Sequence, residues 1–317
     1  MTILNAITLK QLRALDAIVG TGSISQSADL LGLTPPAVHS QLRVLEEQFG
    51  CALVNRSRGE RFEATPAGAA LLEAFETTQS SLAKAVDRIE AMKNGMAGRV
   101  VLGVIGTGKY FAPSIVAGLK KTYPDIEVVL QFGNRDRTIA DLAAGKTDLA
   151  IMGRPPRQPE VTAYSMGDHP HVLIAPPDHP LAQGSRALPA ELFAEHFILR
   201  EPGSGTRLLT IRFLEQLGEG QPFRFTEMES NESVKQAVIA GLGIALISIN
   251  TVLEELKSGR LRLVKADNMP IIRHWFVLHR ADLRPNPALD TVLDFIRGNG
   301  PQFLAQRDIR ALLKDQG

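Results

Sequence analysis

The sequence predicts an α/β protein that carries a small all-α head. Three observations predict it. The first 66 residues read as short capped helices plus a basic hairpin, one long unbroken helical pattern follows, and from residue 98 strands alternate with helices. At 317 residues the chain has room for two or three domains. Its 44% hydrophobic and 22% charged residues are ordinary for a soluble globular protein. Lys and Arg (35) nearly cancel Asp and Glu (34), so bulk charge points to no particular partner. Cys51 stands alone, which excludes an internal disulfide or a thiolate zinc cluster. The start, MTILNAITLK, lacks the basic-then-apolar order of a secretion signal, and the longest apolar run, Ala237 to Ile249, is too short to span a bilayer. A cytoplasmic location without a membrane partner is the expectation.

In the head, Leu9, Leu12, Leu15, Ile18 and Val19 recur at helical spacing, and Thr21-Gly22 stops that first helix. A second opens at Ser23-Ile24-Ser25, with Ser25 the expected N-cap and Ala28, Leu30 and Leu31 facing inward, and Gly32 ends it. Thr34-Pro35-Pro36 restarts the chain as a third helix, capped by Thr34, with Pro35 in the first turn where its missing N–H is harmless. Val38, Leu42 and Leu45 form its apolar stripe and Phe49-Gly50 closes it. Two short helices joined by a tight Gly turn, the second polar outside, make a helix-turn-helix. The stretch from Leu53 to Thr65 then reads as a hairpin whose tip holds Arg56, Arg58, Gly59 and Arg61, a wing suited to phosphates. A helix entering the DNA major groove needs small or polar residues at its N-terminal end. Thr34, Pro35, Pro36, Ala37, His39 and Ser40 fit that need, Ser25 joins them, and Arg43 reaches a base or phosphate. Against DNA stands the head's charge balance: its Lys and Arg are offset by Asp16, Asp29, Glu46, Glu47, Glu60 and Glu63, which leaves a protein-interaction module as the alternative.

From Pro66 to Asn94, Leu72, Phe75, Gln79, Leu82, Val86 and Ile89 fall at alternating three- and four-residue steps. That is a coiled-coil seam interrupted once, at Gln79, and the polar outward positions favour a dimer helix over a stripe packed on its own domain. Asn94-Gly95-Met96-Ala97-Gly98 follows as a hinge. Strands are then expected near Val100–Ile105, Glu127–Phe132, Leu149–Met152, His171–Ala175, Phe197–Leu199, Phe223–Met228, Ile244–Ile247, Leu261–Val264 and His274–Leu278. Helices fall at Phe111–Thr122, Arg137–Ala144, Thr206–Leu217 and Ser233–Ala240, an order that implies mostly parallel sheets with helices on both faces. Trp275 and Phe276 belong to the core of the last strand, and the tail carries Phe303, Ile309, Leu312 and Leu313 as a terminal amphipathic helix, a candidate subunit contact.

The block SISQSADLLGLTPPAVHSQLRVLEEQFGCALVNRSRGERFEATPAG resembles the winged helix-turn-helix of LysR-type transcriptional regulators. Ala28, Leu31, Thr34, Pro36, Ala37, Val38, Leu42, Leu45, Glu46, Phe49, Gly50, Thr65, Ala67 and Gly68 stand in that family's motif positions. Pro35 departs from the Gln, and His39 from the Ser or Thr, that many members carry. The resemblance spans the chain. It implies a DNA-binding head at 1–66, a linker and dimerisation helix with hinge at 67–97, and a periplasmic-binding-protein-like effector domain at 98–300. Within the last, lobe I comprises about 98–168 and 271–300 and lobe II about 169–270, leaving a tail at 301–317. It further implies homodimers or homotetramers on double-stranded promoter DNA, contact with RNA polymerase, and no enzyme activity.

Two glycine loops are candidate anion sites because each follows a strand and precedes a helix, where open α/β sheets bind ligands. Gly106-Thr107-Gly108-Lys109 offers hydroxyl, N–H and cation but lacks the spacing of a nucleotide loop, and a simple tight turn accounts for it equally well. Arg200-Glu201-Pro202-Gly203-Ser204-Gly205-Thr206-Arg207 frees its backbone at two glycines before a helix. The alternative there is that Thr206 merely caps the helix. Asn231 and Glu232 join the same rim. TGKYFAP, DLAIMGRPP and ILREPGSGTR resemble the branch of the family that activates RuBisCO (Calvin-cycle) operons. That resemblance implies no cofactor but a phosphorylated effector such as ribulose 1,5-bisphosphate. Independently of it, Thr107, Lys109, Arg154, Ser204, Thr206 and Arg207 suit such a ligand by charge and hydrogen bonding, and Gly106, Glu201, Gly205 and Asn231 complete the candidate set. Asp168-His169, His171 and Asp178-His179 sit among prolines and read as turns rather than as a metal or acid–base site. The rivals are a LysR-type regulator of another operon and a cytoplasmic anionic-metabolite-binding protein.

Overall fold

Helices dominate the first part of the computed structural model and a mixed sheet the second; it describes residues 6–56, 61–94, 98–218, 220–283 and 286–315. Two compact units divide the chain, Met1–Ala85 and Val86–Gly317.

In the first unit, α1 (Leu9–Thr21), α2 (Ile24–Leu31) and α3 (Pro35–Phe49) end at Gly22, Gly32 and Gly50, each in the left-handed conformation that glycine adopts without strain. Ala14, Leu15, Ile18, Ala28, Val38, Leu42 and Leu45 form their common core. Ser23, not Ser25, caps α2, its Oγ accepting from the Gln26 N–H at 3.5 Å. Leu30 does not face inward but is 69% exposed, because α2 is too short to bury more than one stripe. Thr34 occupies the cap position of α3 without a side-chain cap bond, Pro35 following at the first helical position. The wing is the antiparallel pair β1 (Val54–Arg56) and β2 (Phe62–Ala64). Arg58 and Gly59 of its tip lie outside the described residues. The motif residues after α3 are structural: Glu46 accepts from the Leu53 N–H at 2.8 Å, and Thr65 donates to the Ala52 carbonyl at 2.9 Å and caps Gly68 N–H at 3.0 Å. Gly68 lies so close to the Leu53 carbonyl that a Cβ would collide with it.

The long helix α4 (Pro66–Asn94) splits the expected seam. Phe75 is fully buried in the head core and Leu72 packs beside it, whereas Leu82, Val86 and Ile89 are about half exposed. Its first half therefore stabilises its own unit. Residues 95–97 of the expected hinge lie outside the described residues.

In the second unit β3 (Gly98–Ile105), β4 (Ile126–Gly133) and β5 (Leu149–Met152) are parallel, as the alternation predicts. The rest is less parallel than expected. β6 (Val161–Ala175) and β11 (Ile271–Arg280) are long antiparallel strands, and β9 (Ala245–Ser248) and β10 (Arg262–Val264) add antiparallel to β6. Together these form one seven-stranded sheet among the described residues, while β7 (His196–Arg200) and β8 (Arg224–Met228) pair in parallel beside it. Helices α5 (Ala112–Thr122) and α12 (Pro287–Asn299) close one core around Leu102, Ile151, Trp275 and Val277. A smaller cluster at Leu142, in α6 (Arg135–Ala143), and Leu278 lies under it. The other cores are closed by α8 (Pro189–Ala194), α9 (Gly205–Gly218), α10 (Asn231–Ile239) and α11 (Ile249–Lys257), with the one-turn α7 (Pro180–Gln183) at their edge. β6 and β11 thus run through both groups of cores and join two lobes.

The tail is a strap across this junction. Leu304, after a 3-10 turn at Gly300–Leu304, packs in the first core, and α13 (Gln306–Asp315) buries Ile309 and Leu312 in the second. The apolar face expected at a subunit contact is thereby largely used within the chain.

Candidate functional site

In the head, α3 presents Thr34, Pro35, Pro36, His39, Ser40 and Arg43 to solvent, Ala37 is half-buried, and Ser25 is exposed on α2. This is the polar N-terminal face that groove entry requires. Arg43 Nε donates to Glu47 at 2.7 Å, an exposed pair that a phosphate can outcompete. Arg56 is described through its backbone in β1 alone.

In the second unit a cavity of about 400 Å³ opens between the lobes at the carboxyl ends of β3, β5 and β7. Gly106, Thr107, Arg154, Ser204, Gly205 and Thr206 line it, so the two glycine loops and DLAIMGRPP converge from distant parts of the chain. Four expected residues do not line it. Lys109 is exposed with its ammonium over the Phe132 ring, because the first loop continues as a 3-10 turn that turns it outward. Arg207 points away, donating to the Arg200 carbonyl and Glu227, each at 2.7 Å. Glu201 neutralises the buried Arg200 through two bonds of 2.7 and 2.9 Å. Asn231 stands behind the wall, bonded to Arg200 and donating to Thr107 Oγ1 at 3.0 Å, and so ties one lobe to the other.

The cavity is strongly cationic. Among the described residues Arg135, Arg154, Arg157, Arg200, Arg212 and Arg273 line it, and no Asp or Glu does. Burial, and then Arg154 and Arg212, outweigh Asp136 and hold Arg135 below its ordinary pKa. Positive groups thus face one another without full compensation, which is the signature of an anion site. The N-terminal turns of α6 and α9 meet at its wall, where the Asp136 N–H donates to the Gly203 carbonyl at 3.2 Å. Outside the cavity lining, Tyr110 donates to Glu232 at 3.1 Å, and Lys235 bridges Glu232 and Glu255 at 2.9 Å each.

The floor is formed by His169, His171 and Arg273 on the crossing strands β6 and β11. The expected turn at Asp168–His171 is instead strand, with Pro170 paired opposite Ile272. His171 Nδ1 bonds the His169 carbonyl at 3.1 Å, and burial pushes its pKa down to about 4. Sequence reading missed this floor and four of the six arginines. Of the six, Arg154 alone is a candidate from the sequence, through the DLAIMGRPP resemblance and its charge, and Arg200 reads there only as part of the loop.

A helix-turn-helix head on the same chain as a two-lobed domain with a cationic cleft defines a ligand-responsive DNA-binding regulator. The chain belongs to the lysR family. The profile of the bacterial regulatory helix-turn-helix protein, lysR family, matches residues 9–69, and that of the LysR substrate binding domain matches residues 93–301. It is 49% identical to the HTH-type transcriptional regulator CbbR of Cereibacter sphaeroides over 91% of this chain and 93% of that one. It is 36% identical to the RuBisCO operon transcriptional regulator of Allochromatium vinosum over 92% of this chain and 95% of that one. The structure of the Synechocystis PCC6803 CcmR regulatory domain in complex with 2-PG superposes with a TM-score of 0.60 at 34% identity, covering 63% of this chain and 96% of that one.

Proposed function

We propose that this protein is a transcription regulator of RuBisCO and other Calvin-cycle genes, and that a phosphorylated metabolite in the interlobe cavity sets its state. The observation that carries the reading is a lining that holds six arginines and no carboxylate among the described residues, a setting that favours a polyanion through charge-assisted hydrogen bonds. The CbbR and RuBisCO-operon relatives support the gene assignment, and the 2-PG complex of the CcmR domain supports a phosphorylated ligand of the ribulose 1,5-bisphosphate kind.

DNA contact falls to Ser25, Thr34 to Ser40, Arg43 and the wing arginines Arg56 and Arg58. Effector contact falls to Gly106, Thr107, Arg154, Ser204, Gly205 and Thr206 with the further arginines of the cavity. Leu82, Val86 and Ile89 offer the seam on which linker helices pair, giving the homodimer or homotetramer that reads spaced half-sites in the cytoplasm. Activation would proceed through RNA polymerase at the promoter, with the metabolite bound and not transformed. A mobility-shift titration on the DNA upstream of this gene and its neighbour, with and without ribulose 1,5-bisphosphate, tests the reading. A specific complex whose mobility or affinity changes with the sugar phosphate is expected. A complex indifferent to every sugar phosphate would leave a regulator but remove this effector class.

A further inference from the structure

The two walls of the cavity repel each other. Arg135, Arg154 and Arg157 stand on the first lobe, and Arg200 and Arg212 on the second. Burial first, then Arg154 and, from the opposite wall, Arg212 hold Arg135 below its ordinary pKa against the pull of Asp136. Like charges facing across a cleft favour its opening, so contacts that join the lobes must offset that force.

A side-chain cluster just outside the cavity lining does so. There the Tyr110 end of the 3-10 turn Gly106–Tyr110, in the first lobe, meets α10 and α11 of the second. Lys235 is the centre of the cluster. Its side chain is 7% exposed, and an ammonium so far from water is stable only when paired. Glu255 of α11 pairs with it at 2.9 Å and is enough to neutralise it. Glu232, from the first turn of α10, is a second carboxylate at 2.9 Å and leaves the cluster with a surplus negative charge. The other lobe answers that surplus: the Tyr110 hydroxyl donates to Glu232 Oε2 at 3.1 Å, and the Tyr110 ring lies 5.6 Å from the Lys235 ammonium. Burial, and then Glu232, hold the Tyr110 hydroxyl above its ordinary pKa, so it stays a donor at neutral pH.

The adjacent Asn231 sets the spacing that results. Its Oδ1 accepts from Arg200, which can only donate, and its amide nitrogen donates to Thr107 Oγ1 at 3.0 Å. Arg200 and Thr107 line the cavity from opposite lobes, whereas Tyr110, Glu232 and Lys235 lie outside the lining.

We propose that Tyr110, Glu232 and Lys235 form an interlobe latch that holds the arginine-bearing walls at the spacing the effector bridges, and so sets effector affinity without touching the effector. This rests on the reading of the cavity as the effector site. Loss of the latch lowers the population of the binding-competent spacing, and apparent affinity falls by the same fraction.

Calorimetric titration of the full-length protein with ribulose 1,5-bisphosphate tests it through a double-mutant cycle. Tyr110→Phe removes one oxygen and no charge and keeps the ring beside Lys235. It is expected to weaken binding about two- to fivefold while the thermal midpoint without ligand stays near the native value, as suits a half-exposed hydrogen bond to a carboxylate. Glu232→Ala leaves Lys235 paired with Glu255, and in that background Tyr110→Phe should change affinity no further. Equal binding by Tyr110→Phe and the native protein, or a loss of the same size with Glu232 already removed, overturns the latch and leaves the effector site standing. A native protein that binds neither ribulose 1,5-bisphosphate nor 3-phosphoglycerate overturns the latch together with the effector reading.

Discussion

Arg135 shows most plainly what single residues contribute to the cavity. Burial and the nearby Arg154 and Arg212 disfavour its charge, a cost that a bound anion would offset. Arg135→Met is expected to leave the thermal midpoint close to the native value and weaken calorimetric binding of ribulose 1,5-bisphosphate about 10- to 100-fold, the worth of a charge-assisted hydrogen bond. An unchanged affinity would take Arg135 out of the site. His171 sets a pH dependence of a definite sign. Its folded pKa of about 4 lies below the ordinary 6.5, so the unfolded chain binds more protons between those values. Stability is full above pH 6.5, falls as pH drops towards 4, and levels off below. His171 alone contributes about 3 kcal/mol to that fall. Urea unfolding at a series of pH values should show a shallower decline in His171→Gln than in the native protein, and equal slopes would assign the effect elsewhere. The loop residues Gly106, Thr107, Ser204 and Thr206 were legible in the sequence because glycine and hydroxyl residues interrupt periodicity where a strand meets a helix. Arg135, Arg157, Arg212 and Arg273 were not, because an arginine in a helix or strand looks the same in sequence whether it faces solvent or a cleft.

Elements were legible where one local rule decided them and illegible where tertiary context did. The three head helices follow from their apolar spacing and glycine stops. The cap of α2 shifted by two residues because Ser23 and Ser25 both suit that position and only the turn from Gly22 chooses between them. Pro170 and its neighbours suggested a turn, yet β6 runs on, since a proline can stand in a strand where its missing N–H is not needed. The α4 stripe carries two functions that a heptad pattern cannot separate. Phe75→Ala should destabilise the head by about 3 to 5 kcal/mol through the cavity it leaves. Replacing Leu82, Val86 and Ile89 together by serine should leave that stability within about 0.5 kcal/mol, as exposed substitutions do. The same triple variant should dissociate the oligomer in sedimentation velocity, and retention of the native sedimentation coefficient would move the pairing seam elsewhere.

For the whole molecule, an α/β class with a helical head was legible from element order and the two lobes through the family resemblance, while the crossing of β6 and β11 was not legible, because long-range antiparallel pairing leaves no local pattern. That crossing puts His169, His171 and Arg273 at the base of the cavity, and the tail strap packs Leu304 and Ile309 into opposite lobes behind it. At the cavity wall Asn231 to Thr107 and Asp136 to Gly203 join the lobes directly. A ligand that binds the arginines of both lobes favours one lobe geometry over others by its differential contacts, and only that difference can reach the DNA. The most direct measurement is a DNase I footprint on the promoter with native protein and Arg135→Met, each with and without saturating ribulose 1,5-bisphosphate. The account predicts that the ligand moves the protected or hypersensitive positions for the native protein and leaves the Arg135→Met footprint unchanged at the same concentration. A native footprint identical with and without the ligand, or an equal change in both proteins, would contradict it.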